Sequence, residues 1–364
     1  MSKNDRITSL DALRGIVLLG ILLVHSAACF CFSLSDNFCL SYVDCFLREA
    51  IGLLLVEKCR IIFSILFGVS FYLILKNPNY TVKKFVWRCI LLLVLGLLMK
   101  VFYTHNILMW YGLMGIVLVC FRNMKASNLL LFFIILFVLS SVVRNFSLGT
   151  LIFGENLSYR YQVDSSLLDI LNYPFSDSVS DFLVGIFNEG IFLFLSYFVF
   201  GYYLGKVGFL DNLDRFLKFK SIIISLFGYL LLHLLIRQIF IIYGRIYILD
   251  LLLLFRNFFA AIFYALAFLC LYKRFAEHLS WLEAYGKLGL TNYCLQDILG
   301  VVFMTTIFTK GEYSFSFMLF FFVGVYLLLL LFSIVWLRYF KYGPLEWVWR
   351  CLTNLQYISN YHKK

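Results

Sequence analysis

Two basic side chains in the first apolar stretch of this sequence fall on one helical face. The segment LDALRGIVLLGILLVH carries Arg14 and His25 eleven residues apart. Eleven residues is close to three helical turns, so both side chains point the same way, about 16 Å apart along the axis. Arginine presents a fixed fork of donors that suits phosphate oxygens. Histidine is the side chain best placed to take a proton from a hydroxyl or amine near neutral pH. A phosphate grip at one end and a base at the other match the length of a phosphopantetheine arm. The pair would therefore suit transfer of an acyl group, acetyl above all, from acyl-CoA to an acceptor across a bilayer. The plainer reading of the same spacing is an Arg14 anchored to headgroups and a His25 satisfied by a neighbour.

Other ionisable residues interrupt apolar sequence, where charge is costly and hence informative. Glu57, Lys58 and Arg60 open one such stretch, with Glu57, Arg60 and Ser64 on one face. Lys100, His105 and Asn106 close another; His233 and Arg237 are one turn apart; Glu189, Arg256 and Asp297 complete the set. His25, Glu57 and Asp297 are the candidate proton-handling groups, with Glu57 or Asp297 orienting His25. Arg14, Lys287 and Arg350 are the candidate grips for the donor, and Lys287 stands beside a helix N-terminus, which favours anions. Arg60, His105, Arg237 and Arg256 are candidates to bind an anionic acceptor or the thioester oxyanion. The alternative for the whole set is a mutually paired ion network that orients helices.

The elements that must hold these groups follow from composition. Of 364 residues, 63% are hydrophobic and 14% charged, with 42 Phe and 24 Tyr. Soluble chains are about 45–50% apolar and about 25% charged, so a water-soluble fold is excluded. Unbroken apolar runs, not alternating ones, predict an all-α polytopic membrane bundle and exclude a barrel. The runs lie at 10–32, 50–75, 84–103, 106–121, 127–143, 182–205, 221–243, 250–272, 285–309 and 315–338. They predict about ten transmembrane helices, with nine to eleven open. No cleavable signal peptide is expected, the first run being too long. With ten helices every basic cluster falls on one side, which makes both termini cytoplasmic. The same clusters account for the net charge of +11 without nucleic acid. One transmembrane domain spans 1–364, with its longest outer loop at 144–181 and an interfacial tail at 339–364. In that tail Gly343 and Pro344 end the last run, and Glu346 and Arg350 lie one turn apart. Gly68, Gly201 and Gly205 suit close helix packing. Whether Cys39 and Cys45 pair is open. There is no P-loop, GxSxG, HExxH or clustered histidine, so no metal is expected.

Several segments carry a family resemblance. LDALRGIVLLGILLVH resembles the opening of the transmembrane acyltransferase superfamily, whose arginine–ten residues–histidine pattern falls on Arg14 and His25. KCRIIFSILFGVSFYLI, WRCILLLVLGLLMKVFYTHNILMWYGLMGIVL, YGKLGLTNYCLQDIL and GPLEWVWRCLT resemble the domain-of-unknown-function 418 family, the YeiB-like membrane proteins. The resemblance implies a membrane bundle with acyltransferase-like chemistry and acyl-CoA as donor. The family often has an acid where this chain has Asn106, and a small polar residue where it has Asp297. Two other classes compete, a transporter of a small anionic or amphiphilic molecule and a membrane scaffold without catalysis. Three prolines and the lack of repeated halves weigh against the transporter. Acyl group, acceptor and oligomeric state are not encoded legibly.

Overall fold

The computed structural model describes residues 3–26, 41–77, 80–100, 106–146, 191–244, 246–306 and 314–361. His105, Glu189, Cys39 and most of the 144–181 segment lie outside the described residues. The described elements are helices: α1 (Lys3–His25), α2 (Tyr42–Leu54), α3 (Lys58–Leu75), α4 (Val82–Met99), α5 (Ile107–Leu118), α6 (Ala126–Phe146), α7 (Ile191–Lys206), α8 (Leu213–Phe216), α9 (Phe219–Tyr243), α10 (Ile248–Lys287), α11 (Gly289–Thr306), α12 (Phe315–Tyr339) and α13 (Pro344–Asn354). Phe340 and Tyr361 form an isolated antiparallel bridge, and no strand occurs among the described residues. The apolar runs fold as helices because a backbone facing lipid must satisfy its polar groups internally. Pro344 stands at the first turn of α13, where its missing N–H costs nothing.

Among the described residues five helices are long and apolar enough to cross a membrane: Thr8–His25, Ala126–Val143, Phe219–Tyr243, Ile248–Lys287 and Phe315–Tyr339. Ile107–Phe121 and Ile191–Lys206 are shorter apolar helices. The protein is an all-helical membrane protein over its described residues.

Two elements depart from the apolar runs. The run at 50–75 is cut by a turn at 55–57, where Glu57 takes a left-handed φ of 70°. What precedes it is the amphipathic α2, with Tyr42, Val43 and Phe46 exposed and Asp44 and Ile51 buried. Hydropathy is blind to the sign of φ, so an apolar run can hide such a break. The run at 250–272 continues through charged sequence to Lys287 as α10, 40 residues long with one non-helical position at Phe275. The extension is held by packing on α1 rather than by lipid.

Helix α1 is central and packs on α3, α10, α11 and α12. Its crossing with α10 is very close. A Cβ on Gly286 would lie 1.8 Å from the Asp11 carbonyl oxygen, and one on Gly15 would lie 2.3 Å from that of Leu282. The α3–α7 crossing uses the same device: a Cβ on Gly201 would stand 2.2 Å from the Ile65 carbonyl oxygen. Small residues at such points let backbones approach where lipid supplies no hydrophobic drive. By contrast α9 is peripheral; Ser225 is its buried residue, and Phe227, Leu231 and Leu234 are exposed.

The bundle has an Arg14 end and a His25 end. The C-terminal part of α10 and the start of α11 meet α1 near the Arg14 end, through Gly286–Asp11 and Gly289–Leu18. The start of α3 lies toward the His25 end, since Cys59 meets Gly20.

Candidate functional site

His25 closes α1 and is buried. Its Nδ1 lies 3.0 Å from Oδ1 of Asp297, a carboxylate with no exposed surface. Asp297 stands in the second half of α11, and Tyr293 is one turn earlier on the same face. The Tyr293 ring meets the His25 ring edge-on, with centroids 6.2 Å apart. The Tyr293 hydroxyl accepts from the Ile107 backbone N–H at 3.2 Å, at the start of α5. Asn106 caps that helix, its Oδ1 accepting from Leu108 N–H at 2.8 Å. Thus α1, α5 and α11 converge on one buried polar group.

Several atoms here have no partner among the described residues: Asp297 Oδ2, both amide atoms of Gln296, and Asn106 Nδ2. Buried polar atoms are nearly always satisfied, so a group of orphans marks a place for other donors and acceptors. The motif LTNYCLQD signalled this in sequence: Asn292, Tyr293, Gln296 and Asp297 are polar residues within an otherwise apolar helix. Tyr293 and Gln296 were nevertheless not among the candidates. Asn292 is a framework residue, donating to the Tyr285 carbonyl at 3.0 Å and to Ser333 Oγ at 2.9 Å.

The remaining candidates divide into separate groups. Glu57 binds Arg60 one turn on, and Arg60 lies 5.0 Å over the Phe194 ring. The carboxylate at His25 is that of Asp297. Arg14 donates from Nη1 to Asp11 Oδ1 and from Nη2 to Ser70 Oγ, both at 2.6 Å. Lys287 donates to Glu283 Oε2 at 3.4 Å, and the charges of Arg14, Lys287 and Glu283 all act on Asp11. Arg14 and Lys287 therefore share one cluster. Arg350 belongs to another, 4.2 Å over Tyr342 and near Arg88, which lies 4.0 Å over Trp349. Arg256 donates to Asn257 Oδ1 at 3.1 Å, while Arg237 on α9 is exposed.

The N-terminus of α11, expected beside Lys287 to take a phosphate, holds an anion from the chain itself. Glu346 Oε1 accepts from Leu290 N–H at 2.7 Å and Thr291 N–H at 3.0 Å, and Oε2 accepts from Thr291 Oγ1 at 2.5 Å. Burial pushes the Glu346 carboxyl above the usual range, and the hydrogen bonds from Thr291 and Leu290 only partly oppose it. At that terminus the N–H groups of Leu290 and Thr291 are thus capped by Glu346. Glu346 also turns away from Arg350, its neighbour one turn on.

Asp44 plays the matching part on α2. Its Oδ1 accepts from Ser316 N–H at 2.8 Å at the start of α12. Burial alone would raise its carboxyl; the bonds from Ser316 and Ser41 outweigh that and hold it below the usual range. Cys45, next along, is disulfide-bonded to a partner outside the described residues, whereas Cys59, Cys89, Cys120, Cys270, Cys294 and Cys351 are free.

Comparison with known proteins divides the chain in two. Residues 6–160 match the family described as heparan-alpha-glucosaminide N-acetyltransferase, catalytic, and residues 204–356 match a protein family of unknown function, DUF418. An uncharacterized 39.9 kDa protein of Bacillus acidopullulyticus is 26% identical over 361 residues, covering 96% of this chain and 94% of that protein. The uncharacterized protein YxaH of Bacillus subtilis is 24% identical over 401 residues, covering 97% and 96%. YeiB of Escherichia coli, also uncharacterized, is 43% identical over 72 residues, 19% of this chain and 18% of that protein. No solved structure matches. The chain is thus an apolar helical membrane protein whose C-terminal part is similar to the DUF418 family and whose N-terminal part, with the Arg14–His25 helix, is similar to an acetyltransferase catalytic family.

Proposed function

We propose that the protein is a membrane-embedded acyltransferase that moves an acyl group, acetyl first of all, from acyl-CoA at the Arg14 end to a hydroxyl or amine at the His25 end. The acceptor would be a glycan or a lipid headgroup. The observation that carries this reading is the buried His25–Asp297 pair, 3.0 Å apart, whose His25 lies on the same helix as Arg14. A carboxylate accepting from Nδ1–H fixes the tautomer that has its lone pair on Nε2, and it stabilises the imidazolium that forms. The similarity of residues 6–160 to an N-acetyltransferase catalytic family supports the same chemistry.

The step balances simply. His25 Nε2 takes the proton of the acceptor hydroxyl as its oxygen attacks the thioester carbon. The new C–O bond forms, the C–S bond breaks, and the thiolate leaves with the proton from His25. Asn106 Nδ2 and Gln296 Nε2, buried amides with no partner among the described residues, are suited to meet the oxyanion. Arg14 and Lys287 would grip the phosphates of the donor, with Arg350 and Arg88 as a second basic spot on the same side. Arg60 and His105 would line the acceptor side.

Charge and redox support one direction. Basic residues crowd the connections at the Arg14 end, which would be cytoplasmic together with both termini. A disulfide at Cys45 fits an oxidising compartment for the His25 end. About ten spans in one domain, an outer loop near 144–181, a cytoplasmic tail from 339 and a bacterial inner membrane complete the reading.

The test incubates purified protein with radiolabelled acetyl-CoA and a panel of glycan and lipid acceptors. Labelling by the wild type that falls to background in His25→Ala is expected. Equal background labelling by both proteins across the panel would sink the enzyme reading.

A further inference from the structure

Away from the His25–Asp297 pair, α3, α9 and α10 bring several basic groups together, and the acid that acts on them among the described residues, Glu57, is shared with Arg60. Lys58, the first residue of α3, is 1% exposed, and no hydrogen bond or ion pair holds its ammonium among the described residues. Its neighbour Glu57 is taken by Arg60. Arg256 on α10 is half-buried, its hydrogen bonds going to Asn257 Oδ1 at 3.1 and 3.4 Å, a neutral acceptor. On α9, His233 Nδ1 is buried with no hydrogen-bond partner among the described residues. These groups are close enough to act on one another: Arg256 on Lys58, and Arg256, Arg237 and Lys58 on His233. Tyr229 joins them, its ring 6.2 Å from that of His233.

Burying like charges beside each other is expensive unless an anion repays it. Ammonium and guanidinium together suit a phosphate oxyanion, one as a point charge and the other as a fork across two oxygens. The route to the cluster also points to a source. Tyr229, His233 and Arg237 lie four residues apart on one face of α9, a helix otherwise covered with exposed apolar side chains. Arg237 is exposed, about 9 Å from the end of that helix and hence near headgroup depth. A lipid beside α9 can thus pass its headgroup from Arg237 to His233 and on to Lys58 and Arg256.

We propose that Lys58, Arg256 and His233 form a binding site for the phosphate oxyanion of an anionic lipid headgroup, with Arg237 at its mouth. The site stands apart from the transfer reaction and does not need it.

The experiment follows thermal unfolding of the full chain in neutral detergent. The probes are dihexanoyl phosphatidylglycerol, inorganic phosphate, and dihexanoylglycerol as a phosphate-free control. Stabilisation by phosphatidylglycerol alone is expected. An equal effect of inorganic phosphate would keep the site but identify its ligand as the free oxyanion. Lys58→Met and Arg256→Gln should each weaken the apparent affinity about tenfold or more, the loss of one charge-assisted contact. Lys58→Met should also melt higher than wild type without ligand, because it removes a buried charge that lacks a direct ion-pair partner among the described residues. That result also demonstrates that the variant is folded. No stabilisation by either phosphate probe, an equal effect of dihexanoylglycerol, or full retention of the effect in both variants would overturn the proposal. The lipid effect should survive His25→Ala, which separates the failure of this site from the failure of the transfer reading.

Discussion

The two ends of the bundle treat their polar groups in opposite ways. At the Arg14 end the charges of the central helices have partners: Arg14 with Asp11 and Ser70, Lys287 with Glu283, and Glu346 with three donors at the start of α11. Toward the His25 end, Asp297 Oδ2, the Gln296 amide, Asn106 Nδ2 and His233 Nδ1 are buried without partners among the described residues, and Lys58 is buried with no ion pair of its own among them. A satisfied cluster holds helices in register. An unsatisfied one costs stability, and it persists where a bound molecule completes it. The difference separates a part of the molecule whose polar groups are satisfied within the chain from a part whose polar groups have places left for other donors and acceptors.

The largest expected effect probes the unsatisfied side. His25→Ala should lower acyl transfer by about 10²–10⁴-fold, the range for loss of a general base. Asp297→Asn, which keeps shape but spoils the tautomer, should lower it by about 10²-fold or more. Both are read as initial rates of label transfer, with melting temperature as the control for folding. Unchanged rates in Asp297→Asn would erase the contrast, since the pair would then be packing alone.

Next comes the satisfied side. Gly286→Ala places a methyl group 1.8 Å from the Asp11 carbonyl oxygen and must push α10 off α1. A loss of about 1–3 kcal/mol, or more, is expected in thermal or denaturant unfolding. Wild-type stability in this variant would mean that the crossing is not the rigid contact described.

Glu346 gives a finer test. Glu346→Ala strips the acceptor from two backbone N–H groups and should cost about 1–3 kcal/mol. Glu346→Gln keeps an acceptor for them and should stay near wild type. The pH dependence has a definite sign. The native Glu346 carboxyl lies above its usual value of 4.5, so the native state holds its proton more tightly, and stability falls as pH rises from there through the raised value. Asp44 does the reverse. Held below 3.8, it contributes fully above that pH, and its contribution is lost as pH falls through the lowered value. Melting curves of Glu346→Gln and Asp44→Asn against pH should each lose one of these opposite slopes.

The smallest effect is expected at Arg350. Its contact with Tyr342 is near the surface, and Arg350→Ala should change stability by about 0.5–1 kcal/mol. A larger loss would place Arg350 with the framework of the Arg14 end.

Much of this division can be read from sequence, for physical reasons that differ by residue. The helices are legible because lipid forces apolar runs to fold that way. Arg14 and His25 are legible because helical periodicity alone puts them on one face. Asp297 stands out as an acid in an apolar run, although its distance from His25 depends on how α1 and α11 pack, 272 residues apart in the chain. Glu346 could not be read this way. Its proximity to Arg350 in sequence suggested a local pair, whereas its partners lie 55 and 56 residues earlier. The turn at Glu57 and the extension of α10 past residue 272 were hidden for a related reason. A left-handed residue has no hydropathy signature, and a charged helix can be held by its neighbours.

Helix α10 carries Lys287 at one end and Arg256 toward the other, with a kink between them at Phe275. Each straight piece is stiff and transmits displacement instead of absorbing it. Because its crossing with α1 leaves no clearance at Gly286, a shift of either helix at the Arg14 end must be taken up somewhere along α10. Phe275 is the one backbone position in that span with non-helical geometry. It is the joint at which such a shift would stop, and without it the two ends of the molecule would move as one lever.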